Sequence, residues 1–170
     1  MPYAVTHVIL ALLILDIIRD YILKDRKKVP LHYIFIGGIA GLLPDIDIPI
    51  FWLLNDILSL NISWFHRTFT HSLFFAAIPL IITFTLLAFS KNKKHLLFAS
   101  VVSFGVSLHL LLDAVFSGYI MLFYPLSPVG YGLDLIGNAG WPSLWQGLDA
   151  IILLVWLWDL DRRHDLRDFM

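Results

Sequence analysis

The stretch His66-Arg67-Thr68-Phe69-Thr70-His71-Ser72 sets two imidazoles, a guanidinium and three hydroxyls within seven residues. Two further pairs share its chemistry: Asp45 and Asp47, two apart between Pro44 and Pro49, and His109 and Asp113, four apart in an apolar run. Residues four apart on a helix stack on one face, so His109 and Asp113 make a two-point grip for a hard or borderline cation. A spacing of two fails on a helix. A bent backbone between the prolines instead presents both carboxylates, or one as ligand and the other in support. His66 and His71 would diverge by about 140° on a continuous helix. His66 is therefore expected in a loop and His71 in the first turn of the helix that follows, with His7 completing the set.

Three or four imidazoles with two or three carboxylates suit zinc, or manganese or iron with more oxygen ligands. Their number exceeds the four ligands of one tetrahedral ion, so one to three divalent ions are expected. A bimetallic centre suits phosphoester hydrolysis, one ion activating water and both clamping the phosphoryl oxygens. Arg67 offers a planar fork to a phosphate or carboxylate oxygen. Thr68, Thr70 and Ser72 can donate to ligands or cap the next helix. The chain has no cysteine, which excludes thiolate ligands, a Cys nucleophile and disulfides.

The elements that must position these groups are membrane-grade. Apolar residues make up 59% of the 170, mean hydropathy is +0.80, and charged residues reach only 15%. A soluble domain carries roughly 25% charged residues, so the composition points to a single integral membrane domain and to no nucleic-acid surface. Apolar runs predict spans at residues 3–18, 31–43, 72–90, 95–116 and 143–160. Residues 50–60 are apolar but too short to cross, which makes them a re-entrant or interfacial helix. The expected fold is thus an all-α bundle of about five transmembrane helices plus that short one. Gly37, Gly38 and Gly41 allow close helix approach in the second span.

Basic runs at residues 24–28, 91–94 and 162–163 follow spans one, three and five, which assigns those ends to the cytoplasm. The N-terminus is then outside and the C-terminus inside. His7, Asp45, Asp47, His66, His71 and Asp113 all fall on the non-cytoplasmic face, although the lysines and arginines alone decided the topology. A charged side chain at depth costs about 3 kcal/mol, so so many on one side outweigh simple helix packing. Asp16 is expected to be a solvated end-of-span charge. His32, His95 and His164 sit at cytoplasmic ends without a role, and Asp134, Asn138, Gln146 and Asp149 are candidates to line the site.

Four segments carry a resemblance. Thr6-His7, Gly41-Leu42-Leu43-Pro44-Asp45-Ile46-Asp47, the 66–72 stretch and His109-Leu110-Leu111-Leu112-Asp113 occur in the order of the YdjM-like membrane-bound metal-dependent hydrolases. Tyr124-Pro125-Leu126-Ser127 is similar to that family's Pro-containing loop. The resemblance implies a metal-dependent hydrolase embedded in the membrane. The order His, Asp, His, His-x-x-x-Asp is also loosely similar to the zinc-dependent phospholipases C, but it lacks their free N-terminal Trp.

The activity expected is hydrolysis of a phosphoester in a lipid or lipid-linked head group, with Asp47 as proton acceptor and Arg67 on the phosphate. A metal-ion transporter also needs intramembrane His and Asp, but it predicts polar residues along a whole path. A structural or sensing metal site predicts that protein fills every metal position.

Overall fold

The computed structural model describes residues 4–60, 65–116, 118–135 and 142–162. Among the described residues it is all-α apart from one antiparallel bridge between Ile120 and Tyr131. In chain order the helices are α1 (Ala4–Ile17), α2 (Leu31–Ala40), α3 (Asp47–Trp52), α4 (Leu73–Phe89), α5 (Lys93–Phe116) and α6 (Pro142–Arg162). α5 packs on α1, α2 and α4, and α1 also packs on α2 and α6.

Small residues decide how close these helices come. A Cβ placed on Gly105 of α5 would sit 2.3 Å from the Gly37 carbonyl oxygen and 2.9 Å from the Gly41 nitrogen. Only hydrogen fits between α5 and the backbone of α2. Leu12 and Leu15 of α1, Ile34 of α2, Val101 of α5 and Trp156 and Leu160 of α6 form the main apolar core around that contact. Pro79 interrupts the hydrogen-bond ladder of α4. Nearby, Thr83 Oγ1 bonds the Pro79 carbonyl at 2.9 Å and Ser103 Oγ of α5 at 2.8 Å, tying the two helices together.

The breaks between helices differ from the expected boundaries in instructive ways. α1 does not stop before its charges but continues as a wider π turn over Ile18–Leu23. Asp16 is fully buried, not solvated as expected: it pairs with Arg19 at 2.8 Å and accepts from the Trp156 indole at 3.2 Å. The widened turn brings Arg19 back over Asp16 and Asp20, so one guanidinium is shared between two carboxylates inside the bundle. After α2 the chain bends by 51° through a 3-10 turn, Pro44–Ile46, into α3 and a π turn at Leu53–Ile57. That bend realises the short apolar segment expected at residues 50–60.

Taken alone, α5, with 24 residues, is the one described helix long and apolar enough to cross a membrane. The bent pair from Leu31 to Ile57 passes the same test as a unit, while α4, with 17 residues, is apolar but shorter. Helix length and apolarity therefore support fewer crossings than the five expected. α1, with 14 residues, is too short to cross by itself.

Candidate metal centre

Four separate chain segments deliver the polar groups to one end of the bundle. His7 lies in the first turns of α1, Asp45 and Asp47 at the bend after α2, His66 to His71 ahead of α4, and His109 and Asp113 near the end of α5. Ser72 caps α4, its Oγ accepting from the Phe75 amide at 3.3 Å, and a 3-10 turn at Phe69–His71 precedes it. His71 thus sits just before the helix rather than in its first turn, and His66 lies in the loop, as its spacing required. Arg67 holds a left-handed backbone (φ 65°) that turns its guanidinium toward Asp113, 3.7 Å away.

Hydrogen bonds fix which ring nitrogens face inward. His109 Nδ1 donates to the Gly41 carbonyl at 2.6 Å. Thr70 Oγ1 donates to Asp47 at 2.7 Å and so accepts from His71 Nδ1 at 3.1 Å. Both imidazoles therefore carry their proton on Nδ1, an assignment that follows from the network. Their Nε2 lone pairs then face each other 3.2 Å apart in a buried site. Two lone pairs aimed at one point repel unless a cation lies between them. Burial pushes the His71 ring below its ordinary pKa, which keeps it neutral, the form that ligates.

Two carboxylates complete the arrangement. Asp45 Oδ1 lies 3.4 Å from His71 Nε2 and 3.7 Å from His109 Nε2, and Asp113 Oδ2 lies 3.4 and 3.6 Å from the same nitrogens. Zinc–ligand bonds near 2.1 Å give a tetrahedron with edges of roughly 3.4 Å. Five distances among these atoms, 3.2 to 3.7 Å, match that figure, and Asp45, His71 and His109 together form a group able to hold an ion. These residues fit a divalent cation.

The remaining groups arrange around this position. Asp113 turns its other oxygen to His7 Nε2 at 3.4 Å, and the His7 ring stacks on His109 with centroids 3.9 Å apart. His7, His109 and Asp113 form a second grouping able to hold an ion, adjoining the first through a shared carboxylate. Asp47, His66 and His71 form a third. There, however, Asp47 is buried with one oxygen on His66 Nδ1 at 2.9 Å and the other on Thr70. Asp45 and Asp47 therefore diverge, one toward the central imidazoles and one toward His66.

All seven expected ligands and Arg67 thus meet at one end. Of the candidate lining residues, Asp149 accepts from Thr6 Oγ1 at 2.5 Å, anchoring α6 beside His7. Asp134 packs against Gly118 in the loop after α5. Asn138, the Gln146 side chain and His164 lie outside the described residues, whereas His32 and His95 are exposed. The residue that sequence reasoning missed is Gly41. Its contribution is a backbone carbonyl, and no side-chain pattern announces one.

The family described as YdjM inner membrane protein matches residues 1–164 of the chain. No curated protein and no solved structure matches it.

Proposed function

The chain belongs to the YdjM inner membrane protein family, and on that premise we propose that it is a membrane-embedded metal-dependent hydrolase of a lipid head-group phosphoester. The observation that carries this reading is the facing pair of His71 and His109 Nε2 atoms, with Asp45 and Asp113 carboxylate oxygens each 3.4 Å from His71 Nε2. When bound, a divalent cation such as zinc supplies Lewis acidity and acidifies a coordinated water. The chain's own groups do the rest. Asp45, His71 and His109 would hold the ion and leave a fourth position for water, and Asp113 with His7 is placed for another. Arg67 binds the phosphate oxygens through its fork. Asp47, expected to be a ligand or the base, keeps a proton on His66 Nδ1 in this reading, so that His66 Nε2 accepts the proton of the attacking water.

In the same reading α1, α2, α4, α5 and α6 are the five crossings and α3 is the re-entrant helix. The basic runs then put the metal end on the non-cytoplasmic side. A site made of helix ends suits a substrate that never leaves the leaflet.

A second reading has its own support. Asp113 as well as Asp45 lies 3.4 to 3.7 Å from the two imidazole nitrogens, and a site filled by protein is the mark of a structural ion. Metal analysis of the purified protein, wild type against His109→Ala and Asp113→Ala, separates the two when paired with a lipid-hydrolysis screen on the same preparations. Bound metal in the wild type, lost from both variants together with turnover, is the expected result. Unchanged metal content in both variants removes the site. Metal loss from the variants with no turnover by the wild type on any lipid leaves a staple.

A further inference from the structure

His71 belongs to two of the groupings able to hold an ion, with Asp45 and His109 on one side and with Asp47 and His66 on the other. It turns a different ring nitrogen to each. Nε2 faces His109 Nε2 at 3.2 Å and Asp45 Oδ1 at 3.4 Å, while Nδ1 faces Asp47 Oδ2 at 3.8 Å. A neutral imidazole offers one lone pair, because its other nitrogen carries the proton. His71 can therefore serve only one of the two positions, and whatever fixes its proton decides which.

Two influences oppose each other at this ring. Carboxylate oxygens of Asp45 and Asp113 each lie 3.4 Å from Nε2, and by themselves they would draw the proton to that nitrogen. The central position would then lose its lone pair, and a bare Nδ1 would point toward Asp47. Thr70 Oγ1, 3.1 Å from Nδ1, works the other way. Its single proton is committed to Asp47 Oδ2 at 2.7 Å, so toward His71 the hydroxyl can only accept. The buried Asp47 carboxylate is itself held through Oδ1 by His66 Nδ1 at 2.9 Å, which fixes the direction of the hydroxyl. Asp47 could not act on Nδ1 alone, since 3.8 Å is beyond hydrogen-bond reach.

We infer that Thr70 is a positioning residue that selects between the two overlapping groupings. It keeps the His71 proton on Nδ1, turns the Nε2 lone pair to the Asp45–His109 position and closes the Asp47–His66 position to a cation. The inference rests on the metal-binding part of the reading above and names the residue that decides where the ion goes. The side-chain type matters. A hydroxyl donates and accepts at once, so it can link a carboxylate to an imidazole N–H. Valine keeps the shape and does neither, whereas serine keeps both functions.

The test uses the full chain, purified in detergent with nitrogen-15-labelled histidine and loaded with zinc, as wild type, Thr70→Val, Thr70→Ser and Thr83→Val. Competition against a chromogenic chelator reads affinity. Long-range proton–nitrogen NMR reads which nitrogen of each histidine is protonated and which binds the ion. Thr70→Val is expected to bind zinc about 10- to 100-fold more weakly, the usual effect of losing a group that orients a ligand. Its His71 should no longer combine a protonated Nδ1 with a bound Nε2, and Thr70→Ser should recover both properties. Thr83→Val removes a hydroxyl that links α4 to Ser103 of α5, and should change neither. Wild-type affinity with an unchanged His71 pattern in Thr70→Val overturns the inference, and equal weakening in all three variants, the mark of lost packing, does so too. A wild-type His71 bound through Nδ1 overturns it without any variant having to fold. No arm requires turnover, so an inactive protein sinks the hydrolase and leaves the selection by Thr70 standing. Zinc held equally by wild type and Thr70→Val does the reverse, and a wild type that binds no zinc ends both.

Discussion

Replacing Gly105 by alanine tests whether the metal centre depends on how closely α5 and α2 approach. The added Cβ would lie 2.3 Å from the Gly37 oxygen, 2.9 Å from the Gly41 nitrogen and 3.1 Å from the Ala40 carbonyl carbon. All three are backbone atoms, so no side chain can rotate aside. Moving the closest contact out to 3.0 Å separates the helices by about 0.7 Å. That displacement acts directly on the site, because α5 carries His109 and Asp113 while the end of α2 carries the Gly41 carbonyl and leads into Asp45. Taken along the bond, it stretches the 2.6 Å contact from His109 to Gly41 to about 3.3 Å, past useful hydrogen-bond length. The 3.7 Å edge between Asp45 and His109 lengthens by the same amount, several times the roughly 0.2 Å that a metal site tolerates. Losing the partner that orients a ligating histidine costs about 10- to 100-fold in metal affinity. Overpacking adds about 1–3 kcal/mol of destabilisation. The assay is competition against a chromogenic zinc chelator in detergent, with Gly38→Ala alongside. There the new Cβ meets the Leu12 side chain, at 2.7 Å to Cδ2, and that side chain can shift. Gly38→Ala should therefore lose stability but less than threefold in affinity. A folded Gly105→Ala protein with wild-type affinity would refute the reasoning.

Asp16→Ala removes one carboxylate paired with the buried Arg19, and should cost about 3 kcal/mol in denaturant unfolding without changing metal content. Asp25→Ala, which breaks an exposed pair with Lys28, should change neither, and equal effects of the two would disprove the buried-pair account. On acidification, the metal should stay bound as the pH falls through 6.5, the ordinary histidine value, because burial keeps His71 neutral to lower pH than that. The ion is released only below that point, as protons displace it. Dialysis at stepped pH with metal counting reads this, and complete release above pH 6.5 would contradict it.

The meeting of the ligands was expected from the basic runs, which assigned the ends of the expected spans to faces. The structure does bring His7, Asp45, Asp47, His66, His71, His109 and Asp113 to one end of the bundle, whatever the number of crossings. The division of labour between Asp45 and Asp47 was not legible. It depends on the 51° bend after α2, which sends one carboxylate to the imidazoles and the other to His66 and Thr70. Nor was the burial of Asp16, since a charge beside Arg19 and Asp20 at the end of an apolar run reads as a stop signal. Only the π turn and the Trp156 indole turn that run into an internal ion pair. Hydropathy likewise expected five clean spans, where the described helices trade apolar length for internal charge and bends.

Because the four atoms of the central position come from three segments far apart in the chain, order of synthesis governs when it can exist. A nascent chain that ends before α5 has Asp45 and His71 but neither His109 nor Asp113. If α5 inserts upside down, those two side chains arrive at the opposite leaflet and the position is never made. On the proposed metal-site reading, loading is therefore expected only after α5 has been made, and a chain stopped before α5 should retain no ion.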